Sequence, residues 1–330
     1  MRRLILALIV IAGLSPGLLW RNEPRRPDHS QRLVLTPLAV PRAQVGKDGP
    51  VLTGVWQLRS PNTGFGSYSA LIATGGNQLL AISDHGQFLR FPMPGTPGGT
   101  VALGPVLPGR DQYKPLQDME SATRDPATGA IWLGLEFSQS ILRFDKDLAG
   151  PREVRPKAMQ NWRSNGGAEA MARLADGRFV VLSENVPRGA KLRAGLLFAG
   201  DPIVSGEPQE FSFVPPGGYD PSDMAQLPDG RVLILLRGLK LFPPGFAIRL
   251  VLADPADLLP GREWKWRDVG AIESPIPIDN YEGLAVTGGE KGSPLTLWVI
   301  SDDNGALLLQ RSLLLRFEWS PPARAQAAKR

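Results

Sequence analysis

Five segments of the chain each place an oxygen-bearing side chain near the start of an apolar strand and a second polar side chain just past the next one. Ser69, Glu120, Glu169, Asp223 and Glu282 form the first column, at separations of 51, 49, 54 and 59 residues. Asp84, Glu136, Glu184, Arg237 and Asp302 form the second, following the runs LLAIS, IWLGL, FVVLS, VLILL and LWVIS. Most of these positions are acids. Carboxylates gathered in one place hold hard cations, exchange protons or repel one another, and close packing is costly unless a cation, a proton or an arginine compensates them. Hard oxygen ligands with no Cys and two His suit Ca²⁺, with Mg²⁺ second, over Zn²⁺ or copper.

The elements that must bring these residues together are strand pairs repeating about every 50 residues, the signature of a propeller. The fold class is all-β: a β-propeller of five four-stranded blades over residues 51–320, with six blades as the alternative if the wide last interval holds an eroded copy. Outer strands are expected at QFLRFPM and VALGPVL, SILRFDK and EVRPKAM, RAGLLFAG and EFSFVPP, and FAIRLVLAD and EWKWRDVGAI. The last copy lacks one strand, while TGVWQLRS stands unpaired ahead of the first. Pairing residues 55–59 into the last blade closes the ring and removes an exposed edge. Asp-Gly turns at 175–178 and 228–231 join first strands to second, so the opposite end of each blade carries the candidate site. Loops entering there bring Tyr113, Lys114, Trp162, Arg163, Asn165, Tyr219, Asp220, Asp279, Asn280 and Tyr281. Loops leaving bring His85, Asn185, Arg188, Lys191, Arg193, Lys240, Asp303 and Asn304.

Arg2 and Arg3 precede an apolar run, so residues 1–20 read as a signal peptide or a membrane anchor and 21–50 as a basic, Pro-rich linker. Residues 321–330 read as a disordered tail. The expected location is periplasmic or secreted by bacterial-type export, or membrane-anchored. The net charge of +5 resides in the ends, where residues 1–32 hold six Arg against Glu23 and Asp28, so no nucleic-acid footprint is expected on the fold. A monomer acting on a small anionic ester, or on an envelope ligand, fits this distribution. His85 would be the only histidine on the fold, and no G-x-S-x-G elbow occurs, which excludes a serine esterase of that kind.

The stretches NYEGLAV with LWVISDDN, QDMESAT with IWLGLE, and GGAEAMARLADGRFVVLSEN resemble the phytase-like propeller family, the "esterase-like activity of phytase" proteins, over about residues 51–320. The resemblance implies an exported propeller, metal-dependent, acting on phosphoric or carboxylic esters. On this reading Asp84, Glu120, Glu169, Glu184, Asp223, Glu282 and Asp302 hold the ion. Glu282, Asp302, Glu120 and Glu169 act in catalysis, and Arg237, Arg163, Arg188, Lys240 and His85 bind substrate. Ser69 and Arg237 depart from an all-acid ring. The rival is a non-catalytic propeller that binds a ligand or a protein partner, in which the acids cap strand ends and accept hydrogen bonds from neighbouring blades.

Overall fold

The computed structural model describes residues 26–109, 117–163, 166–184, 191–242, 244–305 and 310–324. The signal or anchor segment, Tyr113, Lys114, Asn165, Asn185, Arg188 and residues 325–330 lie outside them.

Two strands come first, β1 (Val34–Pro37) and β2 (Val51–Arg59). Blade 1 is β3 (Tyr68–Thr74), β4 (Gln78–Ser83), β5 (Gln87–Pro92) and β6 (Ala102–Pro105). Blade 2 is β7 (Met119–Arg124), β8 (Ile131–Leu135), β9 (Ser140–Asp145) and β10 (Ala149–Val154). Blade 3 is β11 (Ala168–Arg173), β12 (Phe179–Ser183), β13 (Arg193–Phe198) and β14 (Gln209–Phe213). Blade 4 begins with β15 (Asp220–Gln226), β16 (Val232–Leu241) and β17 (Pro244–Ala253), followed by β18 (Glu263–Trp264) and β19 (Trp266–Ile272). Blade 5 holds β20 (Tyr281–Gly288), β21 (Leu295–Ser301) and β22 (Leu313–Trp319).

The innermost strands β3, β7, β11, β15 and β20 pack against one another in that order, and β20 returns to β3. The ring has five blades. Each blade lies between two others, so its inner strands are covered on both faces, and β8 and β12 are buried at every position. A strand covered on both sides reads as a continuous apolar run, which is why the second strands do not alternate. The Asp-Gly turns work as expected: Gly177 and Gly230 take positive φ, and Asp176 and Asp229 accept the amides of Arg178 and Arg231, both at 3.0 Å.

β2 pairs antiparallel with β22, setting Leu52 opposite Phe317 and Val55 opposite Leu315. The N-terminal strand thus completes the last blade. Leu52 and Val55 enter an apolar cluster with Leu313, Leu315, Phe317 and Trp319. The ring is shut by burial as well as by the ladder.

Three expectations need correction. Residues 21–50 are not all linker, because β1 adds a fifth strand outside β2 and Leu38 donates its amide to Val55 at 2.9 Å. The segment EWKWRDVGAI is split between blades: β18 pairs parallel with β14, while β19 pairs with β17. Trp264 causes the split by inserting edge-on against Phe211, with centroids 5.8 Å apart, and donating to the Asp254 carbonyl at 2.8 Å. The start of the tail is tied down, since the Pro322 carbonyl accepts from Arg231 at 2.8 Å and Arg324 pairs with Asp254.

If β2 is the closing strand, Leu52→Ala should cost about 2–5 kcal/mol through the cavity it leaves in the shared cluster. Val34→Ala on the exposed outer strand should stay within about 0.5 kcal/mol. Denaturant midpoints of the two variants measure the difference.

Candidate functional site

Every innermost strand is interrupted by a β-bulge, and the bulges select the residues that face the axis. In β3, β7, β11 and β20 the pairing with the second strand skips Ser69, Glu120, Glu169 and Glu282 respectively. A bulged residue is left out of the ladder and can be re-aimed. In β15 the skipped residue is Ser222, because Pro221 pairs with Leu236 and Asp223 with Leu235.

Asp223 is therefore one residue out of the column predicted for it. It is buried, and its oxygens accept the amides of Met224 at 2.8 Å and of Leu284 in the next blade at 2.7 Å. Burial raises its pKa, and these amide donors oppose the rise. Asp303 acts likewise between blades 5 and 1, accepting from the Ser67 amide at 3.1 Å and the Ser312 hydroxyl at 2.6 Å. These two acids fit the structural reading.

The second column holds in all five blades. Asp84, Glu136 and Asp302 donate their amides to the carbonyls of Ser67, Asp118 and Asn280 at 3.1, 2.8 and 2.8 Å, and Arg237 pairs with Asp220. Gly167 allows the inner strand of blade 3 to approach closely, since a Cβ there would stand 2.5 Å from the Glu136 Cα.

The two columns meet at the axis in two chemically different halves. On one side the Arg237 guanidinium donates to Glu184 Oε1 at 2.7 Å, to Asn280 Oδ1 at 3.2 Å and to Glu282 Oε1. The Asn280 amide donates to Glu282 Oε1 at 2.8 Å and to Asp302 Oδ2 at 3.2 Å. Burial disfavours the guanidinium charge, but Glu282, Glu184 and Glu169 outweigh it and raise the Arg237 pKa. Arg237, expected to grip substrate, is bonded to two acids of the ring.

Beyond Glu184, which belongs to both parts, the carboxylates face one another. Oxygens of Asp118, Glu120 and Glu136 all lie within 4.8 Å of each other, as do those of Glu136, Glu169 and Glu184. Glu136 belongs to both groups. Its carboxyl group lies beside those of Glu169 and Asp118, where a shared proton or a cation would relieve the repulsion. Burial, with Asp118 and Glu184 adding to it, pushes the Glu136 pKa up to about 7. Burial followed by repulsion from neighbouring acids raises Glu120 and Glu169 as well. For Asp302, burial and then Glu282 push the value up to about 8, whereas Arg237 opposes the burial-driven rise at Glu282.

All these ligand atoms are carboxylate oxygens, as a hard cation requires, and oxygens within 4.8 Å of one another can be spanned by one ion at calcium–oxygen distances of about 2.4 Å. The donor set fits Ca²⁺ and accommodates Mg²⁺. Asp118 belongs to it although the sequence columns omit it; its signal is its place two residues ahead of Glu120. Asp84 is held by the His85 ring through Nδ1 and reaches the acids through its charge on Glu120, Glu282 and Asp302. Arg163 and Lys240 are exposed and make no ion pair with the ring among the described residues; the Arg163 carbonyl accepts from Gln139 at 2.6 Å. Arg188 lies outside those residues.

The family described as "Phytase-like: Esterase-like activity of phytase" matches residues 63–305, which contain both columns. The chain belongs to this phytase-like family. No curated protein matches this phytase-like chain. Solved structures similar to it include a calcium-binding regucalcin from Agrobacterium tumefaciens at 13% identity and TM-score 0.42, covering 88% of this chain and 94% of that one. A glucose dehydrogenase follows at 10% identity and TM-score 0.47, covering 81% and 99%. The Cps50 (Swd1) β-propeller domain of Myceliophteria thermophila is similar at 8% identity and TM-score 0.39, covering 87% and 100%.

Without a cation, native Glu136 and Asp302 keep protons that the unfolded chain releases near the ordinary carboxylate values, so stability falls as pH rises through their raised values of about 7 and 8. Melting temperatures in chelator should decline between about pH 5 and pH 9, and saturating Ca²⁺ should flatten the decline.

Proposed function

We propose that this phytase-like propeller is a metal-assisted hydrolase of phosphoric esters, with carboxylic esters as the second substrate class. The observation that carries the reading is the pair of carboxylate groups sharing Glu136, of which Glu184 is also bonded to Arg237. Asp118, Glu120, Glu136, Glu169 and Glu184 would hold the ion. When bound, a divalent cation supplies Lewis-acid polarisation of an ester oxygen and lowers the pKa of water. Glu282 and Asp302 stand on the Arg237 side, where Asn280 fixes both by hydrogen bonds and burial raises their pKa values. Asp302, pushed up to about 8, is suited to hold and release a proton near neutral pH. His85, half-exposed and held at Nδ1 by Asp84, stands at the rim. Arg163 and Lys240 add positive charge on the loops of the same face, which favours an anionic substrate.

A second reading, a non-catalytic propeller binding an envelope ligand, draws support from the structural use of Asp223, Asp303 and Arg237. We also infer export to the periplasm or beyond, supported by the arginines and the apolar run of residues 2–20. Among the described residues no helix is long and apolar enough to cross a membrane.

Glu136→Gln removes the ligand common to both groups. It should abolish saturable stabilisation by Ca²⁺ and lower turnover of a phosphomonoester at least about a hundredfold. Asp223→Asn should lower the melting temperature yet leave the calcium response in place. Calcium stabilisation with no turnover across a panel of phosphoric and carboxylic esters would decide for the binding propeller.

A further inference from the structure

Large apolar side chains left in water are scattered on most proteins, and their concentration on one face marks a contact surface. Among the described residues, five of the eight exposed large hydrophobics stand on the loops and the β16–β17 hairpin around the channel mouth: Phe137, Leu192, Leu239, Phe242 and Ile278. They come from blades 2, 3, 4 and 5 and surround an acidic centre without lining it. The β16–β17 ladder continues past Arg237 through four more pairs, from Gly238 with Ala247 to Leu241 with Pro244. At about 3.3 Å per residue the hairpin carries its tip roughly 13 Å beyond the ring. Leu239 is 70% exposed there and Phe242 96%. Nothing in the fold requires an apolar tip in that position.

Exposed cations stand among these side chains. Lys191 is adjacent to Leu192, Lys240 to Leu239, and Arg163 is on the loop entering blade 3. Glu273 is an exposed acid of the same face, while the ring carboxylates are buried or half-buried beneath the rim. Apolar tips interleaved with Lys and Arg match the interface of an anionic bilayer, where the rings and aliphatic chains enter the headgroup boundary and the bases meet lipid phosphates.

The path of the N-terminal chain is an independent observation. β1 runs antiparallel to β2 with Val34 opposite Arg59, so the residues before it lie at the mouth end of the blade. Asp28 accepts the Thr63 amide at 2.9 Å, and the Ser30 carbonyl accepts from Asn62 at 2.9 Å, both in the loop that enters blade 1 on the mouth face. The chain leading back to the apolar run of residues 4–20 therefore leaves the propeller from the same face as the apolar tips. We infer that the channel mouth docks on an anionic lipid surface through Phe242, Leu239 and the neighbouring apolar tips, with Lys191, Lys240 and Arg163 supplying the charge. This surface is separate from the carboxylate site and stands whether or not that site is catalytic.

The chain contains no cysteine, so a single thiol can report on one position. Phe242→Cys, and Val204→Cys in the β13–β14 connection on the opposite face as control, are made in the full chain and labelled with an environment-sensitive fluorophore. Each is mixed with phosphatidylcholine vesicles, with or without phosphatidylglycerol, some carrying a brominated lipid quencher. The expected result is a blue shift and bromine quenching at position 242 in anionic vesicles and a water-like signal at 204. Adding Lys191→Glu and Lys240→Glu should raise the lipid concentration needed for the shift at least about tenfold. A water-like signal at 242 in every vesicle, or equal responses at both positions, overturns the proposal. So does a shift at 242 that grows with protein concentration in the absence of lipid, which would assign the rim to a second copy of the chain.

Discussion

The cost of placing many carboxylates around one axis is the constraint on which the site depends. Asp118, Glu120, Glu136, Glu169, Glu184, Glu282, Asp302 and Asp84 all bear on the channel, and Arg237 is the cation bonded into the ring among the described residues. One guanidinium cannot satisfy that charge. It compensates Glu184 and Glu282 directly, and Asn280 extends the network to Asp302. Around Glu136, burial and the neighbouring acids raise the carboxyl pKa values, and a proton or a bound cation would relieve the repulsion there. The channel thus holds a network tied together by Arg237 and Asn280 and, joined to it through Glu184, a carboxylate cluster around Glu136 suited to an ion.

The fold creates this situation by repetition. A four-stranded blade cannot cover its own faces, so five of them stack in a ring and their first strands converge. A bulge near the start of each first strand removes one residue from the ladder, and in all five blades that residue is a serine or a glutamate. The same repetition supplies the fastenings between blades. Asp223 receives the Leu284 amide, Asp303 the Ser67 amide, and the Arg173 amide reaches Thr123 at 2.9 Å. Acids with similar sequence surroundings therefore divide into fastenings and candidate ligands according to which backbone donors lie within reach.

Much of this is legible in the sequence because the period is strong. Five apolar second strands, the Asp-Gly turns and the unpaired TGVWQLRS suffice for five blades and for closure of the ring by β2. The second polar column is readable without error, since it directly follows an apolar run whose end is clear. Blade 4 is where the first column misleads. In DPSD an acid stands on each side of the bulged Ser222, and alignment by residue type selects Asp223, whereas the pairing of Asp220 with Arg237 fixes the true register. Asp118 is hidden for a different reason: of its equivalents in the other blades, Ser67, Gly167, Asp220 and Asn280, only Asp220 shares its residue type. The division of the ring by Arg237 depends on side-chain directions that a column of letters does not carry. The split of EWKWRDVGAI depends on the burial of Trp264 in a neighbouring blade, a long-range contact with no local signal.

The central claim is that the carboxylates around Glu136 hold protons in place of a cation and exchange them for one. Calorimetric titration of the chelated protein with Ca²⁺, near pH 7 in two buffers of different ionisation enthalpy, tests this directly by counting protons released per ion bound. The account predicts saturable binding with net proton release, diminishing as the pH is raised past the Glu136 value of about 7. Saturable binding without proton release, or no binding at millimolar Ca²⁺, would contradict it.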